Sequence, residues 1–311
     1  MTKVLISCPP MINAMSILRE DFATHKFEPV VVPMTQTLSA KELKSLLPSV
    51  DGWIIGDDLV TDEVLAAGHR GKLKAAVKWG VGVDNVDFDS AKKHNIPIKN
   101  TPGVFNDEVA DLAIGYMISL ARQTHFIDRE VRIGNWPKPM GTSLKGKTLA
   151  LLGVGNIGSE IAKRAIVFGL NVIGYDPNAK HEPPPGVVMK TWPESLNEVD
   201  FFIISASLND GNRWIVNKQT IELMKKGVRL INVSRGGLVK ESDLIEALRS
   251  GHIESVALDV FEEEPPNHTN DLFCHSRSIF GSHNASNTSE AVMITSKLSI
   301  KILRSLINEN S

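Results

Sequence analysis

The chain has 311 residues, of which 42% are hydrophobic and 23% are charged, and its formal net charge is −2. These values are ordinary for a globular protein and exclude disorder, collagen-like repeats and coiled coil, while the length favours two domains over one. The near-zero net charge gives no basic surplus for a phosphate backbone, so we expect no nucleic-acid partner.

The lengths of the apolar stretches and the spacing of the cysteines indicate in which cellular environment we expect the protein. Stretches such as Thr148–Val154 and Phe201–Ala206 are far shorter than the roughly 18 residues that span a bilayer, so we expect no membrane partner. The cysteines, Cys8 and Cys274, form neither a disulfide framework nor a metal-ligand spacing, and the histidines are scattered. We therefore predict no metal site and a reducing, cytoplasmic location.

In the first part of the chain, short apolar strands alternate with amphipathic segments. Ala40–Leu47 and Thr61–Ala67 have the residue spacing of helices. The predicted strands are Val4–Ser7, Pro29–Val32, Trp53–Gly56, Ala75–Trp79 and Ile96–Lys99. Such alternation is typical of βαβ units and predicts an α/β fold with parallel strands.

A long helix, predicted over Asn106–Arg122, then interrupts the alternation. The segment after it, Gln123–Gly146, shows no periodicity, and we predict an irregular polar arm. Strands and helices resume at Thr148, and a last helix over Ser289–Leu306 is expected to pack on another element. The strands predicted in this part are Thr148–Leu152, Val172–Tyr175, Asp200–Ser205, Arg229–Val233, Ser255–Val260 and Ser278–Gly281.

A glycine-rich turn follows the strand that starts at Thr148 and precedes a helix predicted from Ser159. In a nucleotide-binding turn, Gly153 permits the tight bend, Gly155 lets a pyrophosphate approach the backbone, and Gly158 lets the helix pack on the strand. The pattern alone is weak, because a tight turn can need glycines without any ligand. Asp176 strengthens it, since a carboxylate at the end of the next strand binds ribose hydroxyls and repels a 2′-phosphate. We therefore predict NAD as cofactor and expect NADP to be disfavoured.

Three later strand ends carry side chains suited to hydride transfer on a 2-oxo acid. That reaction needs a cation to hold the substrate, an acid for the carbonyl oxygen, and a group that keeps this acid charged. Arg235, the acidic run Glu262–Glu264 and His283 each follow a strand, where open α/β sheets bind ligands. Each alone is more often a surface cation, a solvated loop or a structural histidine. Together, downstream of a cofactor motif, they favour catalysis.

These motifs, in this order, resemble the D-isomer-specific 2-hydroxyacid dehydrogenases, above all the phosphoglycerate dehydrogenase and glyoxylate/hydroxypyruvate reductase branch. The resemblance runs from about Trp53 to Glu290. The stretches that carry it are Lys78–Asp87, Asn100–Gly103, Asn232–Leu238, Ala257–Pro265 and His283. It implies two Rossmann-like domains with doubly wound parallel sheets, in which a cofactor domain, residues 101–284, is inserted into a discontinuous substrate domain, residues 1–100 and 285–311.

The resemblance also assigns roles to matching positions. Arg235 would bind the substrate carboxylate and 2-oxo group, and His283 would be the general acid/base. Glu264 would be the carboxylate partner that raises the pKa of this imidazole, and Asp259 would contact the nicotinamide carboxamide. The other predicted cofactor-binding residues are Gly153, Gly155, Asn156, Ile157, Gly158, Asp176, Ser205 and Val233. The other predicted substrate-binding residues are Lys78, Gly80, Val81 and Gly82.

Some positions depart from the family pattern, and they bear on the substrate. Asp57 and Asp58 stand where phosphoglycerate-specific members tend to have an arginine, and their carboxylates would repel a phosphate. Gly281 and Ser282 precede His283 where a threonine and a proline are usual.

We expect a small anionic 2-hydroxy or 2-oxo acid as substrate and a phosphoglycerate dehydrogenase-like enzyme. The alternative is a reductase for glyoxylate, hydroxypyruvate or another short 2-oxo acid. A protein that senses NAD without catalysis is a remoter alternative. The resemblance further implies a homodimer formed through the cofactor domain.

Overall fold

The computed structural model describes residues 1–179 and 181–309. It divides into two compact units, of which the first contains Met1–Phe105 and the chain from Ser286 onward, and the second contains Asn106–Ala285. Both units are α/β with parallel strands only among the described pairs, which confirms the predicted fold class. Over the described ranges, no helix combines the length and apolar character needed to cross a bilayer.

The first unit is built on a five-stranded sheet. Its strands are β1 (Thr2–Ser7), β2 (Phe27–Val31), β3 (Gly52–Ile55), β4 (Ala75–Lys78) and β5 (Ile98–Asn100). The helices in this stretch are α1 (Pro9–Asn13), α2 (Met15–Thr24), α3 (Ala40–Leu46), α4 (Asp62–His69) and α5 (Phe88–Lys93). The strand order is β2-β1-β3-β4-β5. The chain adds β2 on one side of β1 and the later strands on the other side, so the order of addition reverses between β1 and β3. Ligands of such sheets bind beyond the carboxyl ends at the point of reversal.

The second unit is built on a seven-stranded sheet. Its strands are β6 (Thr148–Leu152), β7 (Asn171–Tyr175), β8 (Val187–Met189), β9 (Phe201–Ile204), β10 (Val228–Asn232), β11 (Ile253–Leu258) and β12 (Ile279–Phe280). Its helices are α6 (Asn106–Arg122), α7 (Thr124–Arg132), α8 (Asn156–Val167), α9 (Lys218–Leu223) and α10 (Glu241–Arg249). The order β12-β11-β10-β9-β6-β7-β8 reverses between β6 and β9, as in a dinucleotide-binding sheet.

The last helix, α11 (Ser289–Glu309), packs on the first sheet. A Cβ atom on Gly52 of β3 would lie 3.0 Å from the Leu303 side chain, so glycine permits this close approach. Near β4, the Trp79 indole nitrogen donates to Ser296 Oγ at 3.1 Å. The C-terminal segment therefore completes the core of the unit that the N-terminal segment begins.

The predicted irregular arm over Gln123–Gly146 is wrong at its start, because α7 occupies Thr124–Arg132. None of the nine residues of this helix, all of them described, is buried. Its sequence carries a helical signal that our interpretation missed, because Ile127 and Val131 lie one turn apart and form an apolar stripe beside Phe126. A salt bridge of 2.8 Å between Arg132 and Asp128 joins successive turns of this helix.

Candidate active site

The glycine-rich turn joins β6 to α8, which begins at Asn156 and not at the predicted Ser159. Gly153 has a left-handed φ of +95°, and a Cβ atom on Gly158 would lie 2.1 Å from the Gly153 carbonyl oxygen. At Gly155, by contrast, no heavy atom of the described chain lies within 4 Å of a Cβ position. Asn156 and Ile157 are the first residues of α8, and the backbone amides at a helix N-terminus favour a bound phosphate.

Asp176 and Ser205 flank the same turn. One Asp176 carboxylate oxygen accepts from the Val154 amide and the other accepts from the Asn178 amide, each at 3.0 Å. The Ser205 hydroxyl donates to the Gly153 carbonyl at 2.8 Å, so this side chain holds the turn. The backbone amides can bind a pyrophosphate and the Asp176 carboxylate can bind ribose hydroxyls, so the residues present fit a dinucleotide.

The Arg235 loop follows β10 and lies directly against the loop after β11. The Asn232 side-chain amide donates to the Arg235 carbonyl at 2.9 Å, while its oxygen accepts from the Ser234 amide at 3.1 Å. A Cβ atom on Gly236 would lie 1.9 Å from the carbonyl of Phe261, so only glycine allows the two backbones to approach this closely. Our sequence interpretation gave Asn232 no role. Its signal is an asparagine that begins a turn directly after a strand.

Glu264 and His283 form an ion pair at the ends of β11 and β12. Glu264 Oε2 lies 2.7 Å from His283 Nδ1, and the two side chains are 23% and 24% exposed. The other carboxylate oxygen of Glu264 accepts from the Phe261 amide at 2.9 Å, which fixes the orientation of the carboxylate. This pairing orients the imidazole ring.

Asp259 and Val233 are buried at the ends of β11 and β10. Asp259 has 0% exposure, and its carboxylate accepts from the Ala285 amide at 2.8 Å and from the Tyr116 hydroxyl at 3.4 Å. The pKa of Tyr116 is raised, first by burial and then by the Asp259 charge. The contact of Asp259 with the nicotinamide stays a prediction. Tyr116 was missed, since nothing in the sequence links it to a residue far along the chain.

The predicted substrate loop lies in the first unit, directly after β4. Gly80 has a φ of +120°, a conformation that favours glycine, and its amide donates to Thr101 Oγ1 at 2.8 Å. The Asn100 side-chain amide donates to the Val81 carbonyl at 2.9 Å. Gly82 continues this partly exposed loop. Two side chains next to β5 therefore fix the backbone of the predicted carboxylate-binding loop.

Lys78 is paired with a carboxylate at the same edge. Its side chain is 5% exposed, and Nζ lies 3.2 Å from Asp57 Oδ1. The other Asp57 oxygen accepts from the Gln36 side-chain amide at 3.0 Å. Asp57 therefore offsets the charge that the sequence interpretation assigned to substrate binding.

Asp58 is buried beside Asp57 and serves the fold. Its carboxylate accepts from the Leu38 amide at 2.7 Å, from the Gly56 amide at 3.3 Å and from the Ser7 hydroxyl. Burial raises the pKa of Asp58, and these hydrogen bonds offset part of that effect. Within residues 1–179 and 181–309, no group of three or more His, Cys, Asp or Glu side chains could hold a metal ion.

Comparisons with known proteins agree with this geometry. A family model described as the NAD binding domain of D-isomer specific 2-hydroxyacid dehydrogenases matches residues 114–285. The chain is 39% identical over 235 residues to the hydroxypyruvate reductase of Thermotoga maritima, which covers 75% of this chain and 76% of that protein. It is 34% identical to the D-3-phosphoglycerate dehydrogenase of Methanocaldococcus jannaschii, covering 100% of this chain and 59% of that one.

The fold has close counterparts among solved structures. The glyoxylate reductase of Paecilomyes thermophila matches with a TM-score of 0.79 and 28% identity, over 99% of this chain and 96% of that chain. The chain spans only 42% to 59% of the length of the phosphoglycerate dehydrogenases given by the comparison.

Proposed function

The chain belongs to the D-isomer specific 2-hydroxyacid dehydrogenase family, and we propose that it transfers a hydride between NAD and a small (R)-2-hydroxy acid. The observation that carries this proposal is the Glu264–His283 pair, with Nδ1 and Oε2 separated by 2.7 Å. The pair lies at the ends of β11 and β12, and Arg235 follows the adjacent strand β10. The proposed acid/base pair and the Arg235 cation thus follow neighbouring strands of the second unit.

In the oxidation direction, His283 is the base. Because Glu264 binds Nδ1, the imidazole takes the substrate hydroxyl proton at Nε2 as the C2–H bond breaks. When bound, NAD supplies the acceptor for the hydride, which carries both electrons of that bond. Glu264 stabilises the imidazolium that forms, and Arg235 binds the carboxylate and the developing 2-oxo group. In the reverse direction, His283 returns the proton to the carbonyl oxygen. The backbone amides of Val81 and Gly82 would bind the substrate carboxylate.

Two substrate classes fit this chemistry. The similarity to phosphoglycerate dehydrogenases, at 34% to 38% identity, supports 3-phosphoglycerate and its oxo acid. The Lys78–Asp57 pair supports a second candidate, an unphosphorylated acid such as hydroxypyruvate or glyoxylate. A lysine already bound to a carboxylate at 3.2 Å offers little net charge to a phosphate dianion.

We also propose a cytoplasmic homodimer formed through the cofactor domain. Large apolar side chains that follow α7 support such an interface, because Trp136 is 77% exposed and Met140 is 94% exposed. The family resemblance supports the same surface. Light scattering on the purified protein would give the mass of the assembly, and a monomeric mass would contradict this part of the proposal.

The test of the reaction is NADH oxidation with 3-phosphohydroxypyruvate, hydroxypyruvate, glyoxylate and pyruvate. We expect turnover with at least one of these acids, and a loss of about 10²- to 10⁴-fold in kcat in His283→Gln. NADH binding, followed by fluorescence, should persist in that variant. Turnover of His283→Gln within a few-fold of wild type would contradict the assigned base. NADH binding without turnover of any acid would favour the non-catalytic NAD sensor.

A further inference from the structure

The turn that carries His283 is anchored to Asp259 in two ways. The His283 amide donates to the Asp259 carbonyl at 2.7 Å, and the Ala285 amide donates to the Asp259 carboxylate at 2.8 Å. His283 itself has a left-handed φ of +53°. A histidine in this conformation is strained, and it persists only where the surrounding structure holds it. The orientation of the Asp259 carboxylate therefore bears directly on the backbone of the proposed base.

Tyr116 on α6 contacts the other oxygen of that carboxylate. Its hydroxyl lies 3.4 Å from Asp259 Oδ1, while Oδ2 accepts from the Ala285 amide. The Asp259 side chain is fully buried, so a donor at Oδ1 limits the rotation that would release the Ala285 amide. A contact that spans 143 positions in the chain thus ties the long helix to the turn after β12.

Gly281 explains how the tyrosine hydroxyl fits. A Cβ atom at this position would lie 2.6 Å from the Tyr116 hydroxyl and 2.2 Å from Asp259 Oδ1. The backbone of Gly281 is not left-handed, so its conformation does not call for glycine. The space that a side chain would fill is instead taken by the phenol and the carboxylate. Gly281 and Tyr116 are therefore complementary in shape.

We propose that Tyr116 is a positioning residue for His283, acting through the Asp259 carboxylate in the space that Gly281 leaves. The inference rests on the proposed acid/base role of His283. Loss of the hydroxyl would let the carboxylate rotate and the 281–285 turn relax. The imidazole would then be aligned for proton transfer less of the time, so kcat would fall while substrate binding changed little.

Tyr116→Phe tests the hydroxyl with the ring retained. We expect kcat to fall about three- to tenfold, the effect of one hydrogen bond of ordinary strength, with KM for the oxo acid within about twofold of wild type. Hydrogen exchange at residues 281–285 should quicken, while exchange within α6 stays unchanged. Tyr175→Phe is the matched control, because the Tyr175 hydroxyl donates to the Glu194 carbonyl and contacts no part of this turn in the described hydrogen bonds. It should leave kcat and the exchange of the turn at their wild-type values.

Gly281→Ser provides the second test. Alone, the serine crowds the Tyr116 hydroxyl and the carboxylate, and we expect kcat to fall more than tenfold. In Tyr116→Phe/Gly281→Ser, the crowding by the phenol oxygen is gone while the crowding by Asp259 Oδ1 remains, so the double variant should be more active than Gly281→Ser but less active than wild type. Losses that simply multiply would show no coupling between the two sites and would overturn the inference.

The exchange measurement needs no turnover, so two failures can be told apart. A wild-type protein without dehydrogenase activity, combined with quicker exchange in Tyr116→Phe, would overturn the proposed reaction and leave the Tyr116 contact supported. Wild-type kcat and wild-type exchange in Tyr116→Phe would overturn the positioning role and leave the reaction intact.

Discussion

The carboxyl ends of the strands in the two sheets carry charged groups of different character. In the second unit, the Glu264 and His283 side chains keep 23% and 24% of their surface exposed. In the first unit, Lys78 keeps 5%, and the Asp58 residue keeps 0%. The Asp57 side chain at the first edge is 37% exposed, but its carboxylate is paired with Lys78 and Gln36, so this edge carries a neutralised ion pair where the second carries the proposed acid/base pair.

The difference indicates that the two edges have different roles. At the first sheet, Asp58 and Asp57 hold loops and a lysine, and the backbone amides of Val81 and Gly82 are the groups proposed to bind the substrate carboxylate. At the second sheet, buried groups such as Asn232 and Asp259 hold the loops, while the partly exposed Glu264 and His283 side chains are the groups proposed for proton transfer. Substitutions at the first edge should therefore lower loop stability or change substrate preference. Substitutions at the second edge should weaken cofactor binding or lower the catalytic rate.

Among substitutions outside the proposed acid/base pair, the largest effect is expected at the glycine turn of the second unit. Gly158→Ala places a Cβ atom 2.1 Å from a backbone carbonyl that cannot move aside cheaply. We expect it to lower the free energy of unfolding by about 1–3 kcal/mol and to weaken NADH binding at least tenfold. Chemical denaturation and NADH fluorescence titration measure the two effects.

Gly155→Ala is the matched control within the same turn. Because no heavy atom of the described residues lies within 4 Å of its Cβ position, the free energy of unfolding should change by less than about 0.5 kcal/mol. NADH binding should still weaken at least tenfold, since the methyl group enters the space of the pyrophosphate. Wild-type affinity in Gly155→Ala would mean that the phosphates do not approach the backbone there.

At the first sheet, replacing aspartate by asparagine at the adjacent residues Asp57 and Asp58 should affect different properties. We expect substrate preference to change at Asp57 and the stability of the fold to change at Asp58. Asp57→Asn releases Lys78, so we expect kcat/KM for 3-phosphohydroxypyruvate relative to hydroxypyruvate to rise about tenfold, or about 1.4 kcal/mol. Asp58→Asn replaces one acceptor oxygen with a donor facing buried donors, so the free energy of unfolding should fall by about 1–3 kcal/mol. An unchanged substrate ratio in Asp57→Asn would contradict the neutralising role of this carboxylate.

The pH dependence of stability in the wild type and in Asp58→Asn gives a further control, because its direction follows from the pKa of Asp58. Burial raises the pKa of Asp58 above its usual 3.8, so the folded protein binds this proton more tightly than the unfolded chain does. Wild-type stability therefore loses a contribution as the pH rises from about 4 through the folded pKa. The stability difference between wild type and Asp58→Asn should accordingly shrink over that range in denaturation curves. A gap that widens with pH would contradict the direction of the shift.

The sequence located the strand ends well, because a parallel α/β sheet brings every carboxyl end to one edge. Arg235 and His283 could be assigned to the same edge of the second sheet on that basis alone. Side-chain pairs across the fold could not, since the Lys78–Asp57 contact depends on strand order and on which rotamers the core allows. The Tyr116 contact depends further on a glycine far along the chain, whereas helix α7 was predictable from the helical spacing of Ile127 and Val131 and was overlooked.

The smallest effect is expected in the reactivity of the two cysteines, of which one lies in each unit. Cys8 follows β1 and is buried, and burial raises the pKa of its thiol to about 12, whereas Cys274 is exposed. Because the thiolate is the reactive form, we expect Cys274 alone to react promptly with a disulfide reagent near pH 8, and both thiols to react in guanidinium. The catalytic activity should survive modification of Cys274. A second fast thiol in native buffer would mean that the loop after β1 opens to solvent, which would contradict the burial of Cys8.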